Sequence, residues 1–126
     1  MRYFVLACLV FLLTACASSD NMRYYHLHPK ALQVALKNCP QLHPKKTTCA
    51  ELAHVAREVN FLAYKLQRDP QGFGNSILMA QAKLAQLEAD LIRNNTRSDL
   101  SMQIVQSKQK IAEYLAIVGW LESPEK

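Results

Sequence analysis

Five residues in one short span have side chains able to hold a metal or carry redox chemistry: His26, His28, Cys39, His43 and Cys49. Imidazole nitrogen and thiolate sulfur are common zinc ligands, so the set is chemically competent for that ion. His26 and His28 would share a face if the chain were extended there, because strand side chains alternate. The spacings lack the short C-x-x-C or H-x-x-x-H pairs that put two ligands on one turn. Without a C-x-x-C, a dithiol oxidoreductase has no support either. Hydrolytic chemistry fares similarly: there is no G-x-S-x-G, and Ser76, Ser98, Ser101 and Ser107 fall where helices explain them as caps or exposed faces. Glu88 and Asp90 stand two apart on a helix and so point away from each other. The expectation is no catalytic residue, no metal site and no cofactor. His28 before Pro29 then reads as a helix entrance, and His54 as a structural side chain beside an apolar stripe.

The compartment decides what the cysteines do. The chain opens with Arg2 and the apolar run YFVLACLVFLLTA, shorter than the roughly 20 residues a membrane-crossing helix needs, and this order reads as an export signal. Leu13-Thr14-Ala15-Cys16 resembles a bacterial lipobox, in which the signal is cut before a cysteine that is acylated on its thiol. The expected organisation is a signal peptide over 1–15, a lipidated cysteine with a polar tether over 16–22, and a single helical domain over 23–126. Cys16 would attach the protein to a membrane through acyl chains, each buried methylene contributing about 0.8 kcal/mol. Ala17 rather than an acid after it suggests the outer membrane, with the body in the periplasm or at the surface. In such an oxidising space Cys39 and Cys49 are the two thiols left, which makes one disulfide the expectation and zinc ligation the competing reading. The loop it closes is short, and the chain-entropy relation gives about 2.5 to 3 kcal/mol.

The formal charge of +5 falls to +4 once Arg2 is removed. The basic residues are spread from Arg23 to Lys126 without a dense cluster, which describes a solvated surface and argues against a nucleic-acid partner. At 126 residues the chain has room for one small domain.

Apolar periodicity predicts four helices and no clear strand. The first spans Pro29 to about Cys39, with Leu32, Ala35, Leu36 and Cys39 on one face and Pro40 opposing its continuation. Thr48 and Glu51 have capping-box spacing ahead of a stripe of Leu52, Val55, Val59, Leu62 and Leu66, which runs to about Arg68. DPQGFGN reads as a turn or loose helix start. The third helix is expected from about Gly74 to Arg93, with Ile77, Ala80, Leu84, Leu87 and Leu91 inward and Leu78, Ala85 and Ile92 widening that face. After NNTRSD, Ser98 is placed to cap a fourth helix carrying Leu100, Ile104, Ile111, Leu115 and Val118. The expected fold is all-α: a small helical bundle in which a short disulfide-clipped helix pair precedes a long antiparallel hairpin. The breadth of the apolar faces also admits a homo-oligomer.

The run YYHLHPKALQVALKNCPQLHPKKTTCAELAHVA resembles the core of the EexN-type entry-exclusion lipoproteins. The matching positions are Tyr25, His28-Pro29, Leu32, Leu36, Cys39, Cys49, Ala53 and Ala56, and the likeness covers about residues 24–56 together with the lipobox. It implies a non-enzymatic envelope protein that blocks redundant conjugative DNA transfer by contacting a protein partner in the mating apparatus. The hairpin from Pro70 to Leu121 lies outside the likeness. A second segment, LAIVGWLES, resembles small exported proteins described as secreted endonucleases distantly related to archaeal Holliday-junction resolvases. That likeness is the enzymatic alternative, although the chain lacks the Asp and Glu-x-Lys pattern of those nucleases.

Overall fold

The computed structural model describes residues 21–39 and 47–123, and every described element is helical. Residues 21–27 form α1, followed by α2 (Pro29–Lys37), α3 (Cys49–Arg68), α4 (Pro70–Arg93) and α5 (Ser98–Glu122). The chain divides into two compact units, Met1–Val59 and Asn60–Lys126. The all-α architecture agrees with the periodicity; α1 is an addition to it. Asn21 and Met22, expected in the polar tether, are already helical, and the helix carries Tyr25 into the interior at 2 % exposure.

In the first unit, α2 begins where Pro29 can occupy its first position without wasting an amide. It stops at Lys37, two residues earlier than expected: Asn38 N–H still donates to Val34 O at 3.3 Å, and Cys39 turns back to Leu36 O at 3.2 Å. Leu32 and Ala35 are buried on α2, and Leu52, Val55 and Val59 on α3. At the start of α3 the capping box forms in both directions. Glu51 N–H donates to Thr48 Oγ1 at 3.1 Å, and Thr48 N–H donates to Glu51 Oε2 at 2.9 Å. Two amides with no helical partner are thereby satisfied. Cys39 and Cys49 are joined by a disulfide, with their Cα atoms 6.0 Å apart.

Within the second unit, α4 and α5 make an antiparallel hairpin. Residues early in one helix meet residues late in the other: the Phe73 and Tyr114 rings are 4.8 Å apart, and Lys108 Nζ lies 3.4 Å from Glu88 Oε1. Nearer the turn, Leu87, Leu100 and Ile104 form the core, with Leu84 and Leu91 packed on it. Of the two expectations for DPQGFGN, the helix start holds and the turn does not. The segment is the first two turns of α4, four residues ahead of the expected beginning, because Asp69 leaves helical geometry (φ −145°, ψ 79°) and accepts from Gly72 N–H at 2.9 Å. Ser98, expected as a cap, is instead the first residue of α5; Arg97 holds the cap position and makes no side-chain cap bond. The Arg97 guanidinium grips Asp99 with contacts of 2.6 and 3.2 Å. That bond is what holds the Asp99 carboxyl below its usual range and places negative charge in the first turn of α5, where the helix dipole favours it.

The inward face of α4 is narrower than expected. Leu78 and Ile92 are 63 % and 85 % exposed and Ala85 is exposed, so none of them widens the core; on α5, Leu115 is 48 % exposed. Packing against α5 buries one seam of α4, and these residues lie beyond that seam. Ile117, which lies off the expected stripe of α5, is fully buried.

Glycines 72 and 74 give a paired expectation. A Cβ at Gly74 would meet nothing within 4 Å, so Gly74→Ala should raise stability by about 0.5 to 1 kcal/mol through the reduced freedom of the unfolded chain. At Gly72 a Cβ would collide with the Asp69 carboxylate that caps the same residue's amide. Gly72→Ala should therefore lose a cap of roughly 1 kcal/mol and show no net gain. Urea midpoints of the two variants against the parent check the contrast.

Candidate functional site

The chemistry-bearing residues of the first unit sort into two groups. The disulfide removes Cys39 and Cys49 from metal ligation and thiol chemistry alike. Cys16 and His43 lie outside the described residues. Among the described residues no group of three or more His, Cys, Asp and Glu side chains is placed to hold a metal ion.

The histidines part company because residues 21–27 are helical, not extended. His28 sits in the break between α1 and α2, and its Nδ1 donates to Tyr24 O at 2.8 Å while its ring stacks on Tyr24 with centroids 4.1 Å apart. This ring fastens the corner between the two helices. His26 reaches Glu58 instead, Nε2 to Oε2 at 3.1 Å, and His54 approaches the other oxygen of the same carboxylate at 3.4 Å. Glu58 thus serves two imidazoles, one from α1 and one from the preceding turn of α3. Sequence reading missed it; the i,i+4 spacing of His54 and Glu58 was the available signal, while the partnership with His26 depends on the tertiary fold. His54 and Glu58 side chains are about half exposed, 52 % and 51 %, so the pair is water-screened and its worth is small, on the order of 0.5 kcal/mol. It orients α1 and supplies no nucleophile.

Tyr25 is the titratable group most affected by its surroundings. Burial, and to a lesser degree the neighbouring Tyr24, push its phenol above the usual value of 10. The folded state therefore holds this proton more tightly than the unfolded chain. Above pH 10 the unfolded chain ionises first, so stability falls as pH rises. Alkaline unfolding should accordingly set in near pH 10 and be delayed in Tyr25→Phe; parallel fluorescence-detected titrations of the two proteins check it.

The second unit presents a shallow groove of about 280 Å³, walled by Tyr64, Phe73 and Tyr114 and edged by Lys65 and Arg68. This is small beside a typical ligand cavity. The polar groups within it are already engaged: Asp69 caps α4, and Ser76 Oγ donates to Gly72 O at 3.0 Å. Cations lie over neighbouring rings, Lys65 Nζ 5.3 Å from the Phe61 centroid and Lys110 Nζ 5.9 Å from that of Tyr114. The groove offers aromatic faces with a basic edge, a surface that can receive one side chain of a protein partner.

No family model, curated protein or solved structure matches the chain. Its functional reading rests on its own residues. Outside the groove, large apolar side chains stand exposed on several helices, including Val34 on α2 and Phe61 on α3. Among the described residues no helix is long and apolar enough to cross a membrane.

Proposed function

We propose that the protein is a non-enzymatic bacterial envelope lipoprotein, anchored in the outer membrane through acylated Cys16 and acting by contact with a protein partner. The observation that carries this reading is the Cys39–Cys49 disulfide. Such bonds persist in oxidising compartments and are rare in the cytosol, which agrees with export by the lipobox at Leu13–Cys16. Exposed Phe61 and Tyr64, both in the second unit, supply the apolar contact that a binding surface needs.

The role we assign is exclusion of redundant conjugative transfer, in keeping with the likeness of residues 24–56 to the EexN-type proteins. Acyl labelling should be abolished in Cys16→Ala, and retained label with retained membrane attachment would refute the anchor. Donor-to-recipient conjugation frequency should fall when recipients carry the protein; an unchanged frequency would remove the exclusion role while leaving the anchor intact. Cleavage of DNA by the purified protein with added Mg²⁺ or Mn²⁺ would replace the contact reading with the endonuclease alternative.

A further inference from the structure

The outward side of α4 carries a second apolar stripe. Leu78, Ala82, Ala85, Ala89 and Ile92 follow one another at spacings of four, three, four and three, the alternation that keeps residues on one seam of a helix. All five are exposed. The inward seam, Ile77, Ala80, Leu84, Leu87 and Leu91, has the same alternation and is spent on the hairpin, where Leu84, Leu87 and Leu91 meet the core formed with α5. One helix therefore bears two complete seams, and among the described residues only one of them is covered. Met79, 73 % exposed, borders the uncovered one.

We propose that this stripe is a self-association surface, on which α4 of a second copy of the chain packs across α4 of the first. Two observations select a second copy as occupant. The first is the size order, which runs large, small, small, small, large and reads the same from either end. A two-fold axis through Ala85 brings Leu78 of one copy to Ile92 of the other, because each lies seven residues from the centre. A self-complementary patch of this kind is what a two-fold interface requires. Alanines at the centre let the two backbones approach closely, and the larger end residues fill the gap that opens as crossed helices diverge. The stripe spans about 21 Å at 1.5 Å per residue, long enough for several contact layers.

The second observation is area. With Leu78, Met79 and Ile92 at 63 %, 73 % and 85 % exposure and three exposed alanines between them, each copy offers on the order of 500 Å² of side-chain surface, against about 800 Å² per partner in a standard interface. Two copies together would bury on the order of 1,000 Å², which is the lower bound for a specific interface. The charged neighbours do not oppose the approach, since Glu88 is engaged with Lys108 and Asp90 with Arg93. Self-association does not depend on the exclusion role and stands or falls separately from it.

Sedimentation velocity of the full chain in a mild non-ionic detergent, across protein concentrations up to about 100 μM, tests the proposal in the affinity range typical of small interfaces. The parent should sediment as a dimer. Ala85→Glu and Ile92→Glu should each weaken dimerisation at least tenfold while helical circular dichroism stays unchanged, because both positions are exposed on the isolated chain. Lys83→Gln, on another face of α4, should leave it unchanged. Ala85→Cys should also form an intermolecular disulfide on oxidation, to a greater extent than Lys83→Cys. A parent that is monomeric throughout the range overturns the proposal, as does a dimer that survives both glutamate substitutions, which would locate the association at the N-terminal segment or elsewhere.

Discussion

Leu52→Ala is expected to destabilise the protein by roughly 3 to 4 kcal/mol, the middle of the range for truncating one buried leucine. Leu52 has no exposed surface and sits one turn beyond the start of α3, beside the equally buried Val55. Removing its terminal isopropyl group forfeits the transfer free energy of three carbons and leaves a cavity that the neighbouring side chains refill only in part. The position is also held from behind by the capping box and the disulfide, which limits how far the helix start can shift to close the gap. Since a domain of this size is stable by only about 5 to 15 kcal/mol, such a loss is a large fraction of the whole. Urea unfolding followed at 222 nm should show a markedly lower midpoint with an unchanged slope. Leu115→Ala is the matched control: the same atoms are deleted from a side chain 48 % exposed and outside the outward stripe of α4, and the expected change is no more than about 1 kcal/mol.

Loss of the Cys39–Cys49 bond should cost nearly as much. The two cysteines are separated by 10 positions, and for a loop of this length the chain-entropy relation gives about 2.7 kcal/mol, through the freedom the unfolded chain regains. The double variant Cys39→Ala, Cys49→Ala should therefore unfold at lower urea than the parent. Adding reductant supplies the internal check: the parent midpoint should drop towards that of the double variant, and the double variant should not respond. If reductant moves both proteins equally, the effect does not come from this bond.

The disulfide was legible from the chain alone, because it followed from the expectation of export and from the cysteine count. Its partners needed no coordinates: with Cys8 in the expected signal and Cys16 in the expected lipobox set aside, a single pairing remained. The capping box at Thr48 and Glu51 was equally legible, since a local hydrogen-bond pattern over four residues depends on little beyond those residues. Periodicity also identified Leu32, Leu52, Val55, Val59, Leu87, Leu100 and Ile104, all now seen inside.

Where local signals competed, sequence reading gave way. Two glycines and a proline in DPQGFGN argue for a turn, yet Asp69 caps the segment and Pro70 suits a first helical position, so the helix wins. Ser98 has the right chemistry for a cap, but the Arg97–Asp99 grip accompanies a helix that starts at Ser98 itself. Residues 21–27 escaped because seven residues are too few for a periodic signal.

By itself, then, the sequence determined the all-α class, the order of the main helices, the cysteine pairing and the inward seams of α3 and α4. These follow from spacing along the chain, and spacing is what a helix converts into a face. Only the tertiary structure decided that Glu58 serves both His26 and His54, that Tyr25 is buried, and that Leu78, Ala85 and Ile92 on α4 are left outside. Periodicity says that a residue lies on an apolar stripe, but whether the stripe is covered depends on how many neighbours pack around the helix. With α5 as the neighbour packed on its inward seam within the hairpin, α4 keeps one seam for the core and shows the other to solvent.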